Sequence, residues 1–245
     1  MNYKITVIIT FIALAFIPSS KAQNAETLLL NMDKLMSAPK DRVATVEMTV
    51  TDKFESEKVR EAILKQKGTD RKMYRYTKPE NKAGIATLSL PGDIMWLYMP
   101  SFGKPIKISL LSKSQAFTGT DFSYKDMSGI PYSERYTPKL LNSDEEGTYM
   151  LELTPKTKNT TYSKIVVSIN KTYKYPEKMA FFNTDNSYAK LATYKYAKKG
   201  NYWYAQEVLM TDLKRNRSTQ VIMKDIKFDQ GLKDEDFEVE KLMAN

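Results

Sequence analysis

Arg42-Val43-Ala44-Thr45-Val46-Glu47-Met48-Thr49-Val50 decides the fold class. Val46, Met48 and Val50 alternate with Thr45, Glu47 and Thr49. At the two-residue period of a strand, this puts the apolar side chains on one face and the polar ones on the other. One buried face and one wet face is the pattern of an antiparallel sheet. Similar short runs follow at 58–67, 70–77, 84–90, 94–100, 105–110, 147–154, 163–170, 177–183, 188–197, 202–212 and 216–227. Turn formers such as Pro91-Gly92, Asp185-Asn186 and Lys199-Gly200-Asn201 divide them. Short strands at close, regular spacing mean one antiparallel sheet or barrel, not parallel βαβ units. The expectation is a mainly β (α+β) single domain of about eleven strands.

Two segments depart from that pattern. Residues 24–37 (NAETLLLNMDKLMS) place Leu28, Leu29, Met32, Leu35 and Met36 at helical spacing, with Asn24 as a cap and Pro39 just beyond. Residues 112–141 are rich in Ser, Gly and Pro yet carry Phe117, Phe122, Tyr124, Met127, Tyr132 and Tyr136. Such an insertion inside a compact domain is functional or disordered, and its apolar content argues against disorder. It is read as a loop with short helices around 123–127 and 132–140, folded back over the sheet. A large sheet must cover its apolar face, and these two segments look too small to fill the inside of a curved one. A cavity is therefore expected.

Composition excludes several chemistries. The chain has 245 residues, 42% hydrophobic and 11% aromatic, enough for a packed core. With no cysteine there is no disulfide, thiolate metal site or cysteine nucleophile. With no histidine there is no Ser-His-Asp triad and no imidazole ligand or proton shuttle. Asp144-Glu145-Glu146 and Asp234-Glu235-Asp236 lack a calcium-loop pattern and read as solvated turns. Asp93 and Asp121 lie nearer the apolar region, but nothing pairs them with a nucleophile. No catalytic residue, metal or cofactor is assigned. The formal charge of +9 is dispersed; it suits anionic lipid head groups better than nucleic acid.

The first residues read as an address. Lys4 precedes an apolar stretch from Ile5 to Ile17, followed by Pro18 and the small-x-small site Ser20-Lys21-Ala22. This is a secretory signal peptide over 1–22, cleaved near Ala22-Gln23, with a single domain over 23–245. The apolar stretch is too short for a bilayer span, which needs about 20 residues. Export without cysteine points to a bacterial-type periplasm.

Candidate binding residues come from the most apolar segments. Residues 94–100 (IMWLYMP) are apolar on both faces, so Met95, Trp96 and Tyr98 are either plain core or contacts to a ligand. Met48, Met73, Met95, Met99 and Met127 either fill core gaps or offer an adaptable surface to varied apolar guests. Val46, Met48 and Val50 are assigned to the inward face, and Leu88 of the 84–90 run joins the set. Phe117, Phe122 and Tyr124 of the insertion complete it.

The order of these pieces resembles the LolA-like outer-membrane lipoprotein carriers. The residues that carry the likeness are Asp70 to Tyr76 (DRKMYRY), Pro91 to Pro100 (PGDIMWLYMP) and Gln115 to Met127 (QAFTGTDFSYKDM). The third stretch is similar to the signature of the lipoprotein-sorting branch associated with RND/MMPL-type exporters. Leu151 to Lys156 and Asp236 to Val239 resemble the closing strands. The resemblance implies a curved antiparallel half-barrel closed by helices, whose apolar concave face takes lipoprotein acyl chains or another lipid. It also implies Arg71 as the latch of the lid, although Lys72 stands where the family has proline. Implied partners are an inner-membrane exporter and an outer-membrane acceptor, with the chain a monomer. The alternatives are a periplasmic sensor or exporter-accessory module that recognises lipoprotein without carrying it, and a carboxylate-based hydrolase.

Overall fold

The computed structural model describes residues 20–109, 111–158 and 160–244. Most of the expected signal peptide, residues 1–19, lies outside them. Helix α1 (Ser20–Met36) begins before the expected Gln23 start and buries Ala25, Leu28, Leu29 and Met32. It ends where the Ser37 hydroxyl donates to the Asp33 carbonyl at 2.8 Å, just before Pro39.

Thirteen strands follow among the described residues. The first six are β1 (Asp41–Thr51), β2 (Glu57–Lys67), β3 (Arg71–Lys78), β4 (Ala86–Leu90), β5 (Ile94–Tyr98) and β6 (Ile106–Lys107). The insertion then contributes α2 (Tyr124–Met127) and α3 (Tyr132–Arg135). The remaining strands are β7 (Tyr136–Leu141), β8 (Thr148–Pro155), β9 (Lys164–Asn170), β10 (Pro176–Phe182), β11 (Tyr188–Lys199), β12 (Tyr202–Asp212) and β13 (Arg217–Phe228).

The count corrects the expectation of about eleven. The helix expected over 132–140 lasts one turn, and Tyr136 to Leu141 then pairs with Pro155 to Met150 of β8. Pro138 is tolerated because β7 is an edge strand, where the missing N–H costs no ladder bond.

All pairings are antiparallel, in the order β6-β5-β4-β3-β2-β1-β13-β12-β11-β10-β9-β8-β7. The first and last strands meet in the middle, while β6 and β7 form the two opposite edges. The segment joining β6 to β7 must therefore travel from one edge of the sheet to the other. That connection is the aromatic insertion, and topology alone sends it across the sheet. Register shifts at Val43/Thr45, Glu61/Ala62, Phe181/Phe182 and Lys195/Tyr196 add local bend and twist. Met95 of β5 and Leu151 and Leu153 of β8 lie toward opposite ends of the strand order yet share one buried cluster. The sheet wraps around its own core as an open half-barrel.

Candidate functional site

The concave face is built by strand parity. Val46 and Met48 of β1, Ala62 and Leu64 of β2, Tyr74 and Tyr76 of β3 and Met95 of β5 all point into the main cluster. Val50 is buried on the same parity of β1. Helix α1 covers one part of this face, and the insertion covers another with Phe117, Phe122, Tyr124 and Met127. Phe117 stands edge-on between Tyr74 and Tyr124, with ring centroids 5.5 and 5.4 Å apart. Each of these four insertion side chains is under a tenth exposed. The expected cavity is thus occupied in this conformation by the protein's own aromatics, because the insertion reaches deeper than its size suggested. A cavity of about 590 Å3 is lined by Gln115, Asp121, Tyr162, Lys190 and Asp212.

A compact loop delivers Phe117. Ala116 and Ser123 form a bridge, and the Phe117 N–H donates to the Phe122 carbonyl at 2.7 Å. Thr118 turns the chain at φ +46°, in the left-handed region, followed by Gly119 at +84°. Ser123 then caps α2 reciprocally with Asp126, at 3.0 and 2.8 Å.

The loop is pinned by charged and hydroxyl groups from four strands. Asp121, with a fully buried side chain, accepts from Arg217 Nε at 2.7 Å and from the Thr219 hydroxyl at 2.7 Å. Its backbone N–H donates to Thr219 Oγ1 at 2.9 Å, and its carbonyl accepts from Lys190 at 2.6 Å. Arg60 donates to the Thr118 carbonyl, and the Tyr76 hydroxyl pairs with that of Thr118. At the start of the insertion, Lys113 pairs with Asp93 at 2.9 Å. Both acids singled out in the sequence are therefore fastenings.

Arg71 has a different partner from the one expected. It pairs with Asp70 at 3.3 Å and with Asp234 at 3.2 Å, and Asp234 belongs to the C-terminal tail. The insertion is held instead by Arg60, Lys190 and Arg217. Asp121 needed a cation, but nothing local in the sequence chooses among many basic residues for a partner 96 positions away.

The twelve candidate contacts divide between two faces. Val46, Met48, Val50, Met95, Phe117, Phe122, Tyr124 and Met127 belong to the concave side. Met73, Leu88, Trp96 and Tyr98 have the opposite parity and pack beneath the tail, against Phe237 and Leu242. Two short 3-10 turns, Asp234–Phe237 and Val239–Leu242, form this second cover. Arg75 fastens it by donating to the Leu242 and Lys241 carbonyls at 3.2 and 2.5 Å. The strand that looked apolar on both sides has two proteinaceous partners, one on each face.

Near the end of α1, burial disfavours charge. Lys72 is held down to about 7 by burial and, secondarily, by the Arg42 guanidinium. The unfolded chain keeps that proton to about 10.4, so between these limits it binds more protons than the folded one. Stability should rise with pH across that interval. Thermal melts from pH 7 to 9 are expected to show a steeper rise for wild type than for Lys72→Met; equal slopes would contradict the assignment.

An open antiparallel sheet with its apolar hollow closed by one helix and a pinned insertion defines the half-barrel class. A family model described only as that of an uncharacterized protein matches residues 68–244, and the chain belongs to this family. Its structural neighbours are outer-membrane lipoprotein-sorting and LolA-superfamily proteins. The sorting-protein domain from Vibrio parahaemolyticus is 28% identical over 91% of this chain and 100% of that one, with a TM-score of 0.84. A DUF1329 family protein from Desulfovibrio piger is 22% identical over 91% and 100%, also with a TM-score of 0.84. A LolA superfamily protein from Nitrosomonas europaea is 24% identical over 87% and 97%, with a TM-score of 0.75. No curated protein sequence matches the chain. No helix among the described residues is long and apolar enough to cross a membrane.

Proposed function

We propose that this chain is a periplasmic carrier, exported by its N-terminal signal, that takes the acyl chains of a lipoprotein or related amphiphile onto its concave face. It acts as a monomer, receives cargo from an inner-membrane exporter and yields it to an outer-membrane acceptor. One observation carries the reading: the concave face is closed by apolar side chains on a segment that crosses the sheet and is tied down by a few polar contacts.

The magnitudes suit exchange. Burying Phe117, Phe122, Tyr124 and Met127 contributes about 8 kcal/mol, at roughly 2 kcal/mol each. One acyl chain of about 15 methylenes brings about 12 kcal/mol if fully buried. A guest can therefore displace the insertion, and the insertion can in turn expel a partly buried guest. Three chains buried completely would amount to about 35 kcal/mol, beyond the roughly 20 kcal/mol at which non-covalent affinity saturates. Release requires that burial stay partial. The chain's Met-rich lining suits varied guests. The missing histidine and cysteine, with Asp93 and Asp121 committed to ion pairs, favour binding over catalysis.

The test is saturable uptake of a photoactivatable fatty-acyl probe. Label is expected on peptides of β1 and the insertion, and Trp96→Ala should leave uptake unchanged because Trp96 faces the tail. No saturable uptake, or label confined to residues 232–242, would refute the proposal.

A further inference from the structure

A small cavity of about 80 Å3 lies between α1, the first three strands and the end of the insertion, and Arg42, Lys72 and Arg135 all line it. Among the described residues, none of the three is within ion-pair distance of a carboxylate. The Arg42 guanidinium donates to Gln66 Oε1 at 3.0 and 2.6 Å, a neutral acceptor. Arg135 lies 4.7 Å from the Tyr132 ring centroid, and its Nε is buried without a hydrogen-bond partner. A buried guanidinium N–H left unpaired is costly, so an acceptor there would be bound with advantage.

Two acids share the lining; both Asp33 oxygens and Asp126 Oδ2 accept hydrogen bonds from neutral donors, so three cations face two carboxylates there. Asp33 accepts the Tyr132 and Ser133 N–H groups at 3.0 and 2.8 Å. Asp126 Oδ2 accepts from the Ser123 N–H at 2.8 Å and the Tyr162 hydroxyl at 3.1 Å. Space is kept open at Gly129, whose φ is +85°: a Cβ there would stand 2.8 Å from the Thr69 carbonyl and 3.7 Å from Lys72 Nζ. A volume of about 80 Å3 holds several water-sized groups, enough for a head group and too little for a chain. Met36 and Tyr132 line this cavity and also pack on the concave core, so the two sites adjoin.

We propose that the cavity holds the oxyanion of an anionic amphiphile, a carboxylate or phosphate gripped by Arg42, Lys72 and Arg135, while its chain lies on the concave face. This deepens the carrier reading and rests on it. Lys72 shares the cavity with Arg42 of β1, Asp33 of α1, Asp126 of α2 and Tyr132 and Arg135 of α3, and its Nζ lies 5.6 Å from the Tyr74 ring centroid. An anion beside it would restore the proton that burial and Arg42 push off.

The test is competition by laurate, dodecyl phosphate, dodecanol and inorganic phosphate against a fluorescent acyl probe on the full chain. Laurate and dodecyl phosphate are expected to bind at least about tenfold more tightly than dodecanol, the scale of one hydrogen bond to a charged group. Lys72→Met and Arg42→Met should each remove about tenfold of that advantage and leave dodecanol unchanged. Equal affinity for all three chains, insensitive to both substitutions, overturns the head-group site and leaves the carrier reading standing. No binding of any chain-bearing compound overturns both. Inorganic phosphate bound directly, as tightly as dodecyl phosphate and dependent on Lys72, supports the oxyanion site and overturns the amphiphile as its source.

Discussion

Arg217→Ala is expected to release the insertion while the sheet stays folded. The substitution leaves the Asp121 carboxylate buried with only a hydroxyl partner, and an uncompensated buried charge costs about 3–5 kcal/mol. That cost falls on the closed position of the insertion, because once open the carboxylate is hydrated. Amides of residues 117–122 should then exchange with solvent at least about 100-fold faster, while those of β8 and β9 keep their protection. Uptake of an acyl probe should become faster, since the displacement step has been made easier. Adding Asp121→Asn removes the stranded charge and should recover part of the lost protection. Arg71→Ala serves as the contrast: its partner Asp234 is 58% exposed in the side chain, and such a pair contributes under about 1 kcal/mol. Unchanged exchange at 117–122 in Arg217→Ala would show that this ion pair is not what holds the insertion down.

The sequence showed the sheet more clearly than the site, and the difference has a physical cause. Alternation in Val46-Glu47-Met48-Thr49-Val50 can be satisfied only with one parity inward, so β1 and its facing were both readable. Tyr136 to Leu141 carries no such alternation: Pro138 and Leu140-Leu141 fit a helix end as well as an edge strand, and only pairing with β8 decides. Residues 94–98 are apolar at every position, which says that both faces are buried but not by what. Asp236 to Val239 reads as a closing strand but forms part of two 3-10 turns, and these are too short to show a period that would reveal Phe237 and Leu242 as a second cover. For that reason the sequence alone groups Met73, Leu88, Trp96 and Tyr98 with the concave residues. The fastenings of the insertion were hidden by distance along the chain. Their acceptor, Asp121, stood out in its motif, but its donors come from β11 and β13 and are ordinary basic and hydroxyl residues out of context.

The two covers make a paired experiment possible. Phe117→Ala and Phe237→Ala each remove a ring at most 2% exposed, and each should lower stability by about 3–5 kcal/mol through lost burial and the void left behind. Only the first void opens onto the concave face, between Tyr74 and Tyr124, where an apolar guest belongs. A dry apolar void is a binding site for a matching apolar molecule. Saturating laurate is therefore expected to raise the melting temperature of Phe117→Ala by more than that of wild type, because the guest no longer has to expel the ring before entering. Phe237→Ala, whose void lies beneath the tail among Met73, Ala86 and Leu88, should show no such extra gain. Since a ligand stabilises only the form it binds, the difference between the two variants measures which face accepts chains. Rescue of Phe237→Ala in place of Phe117→Ala would move the lipid site to the tail-covered face, and with it the role of Trp96.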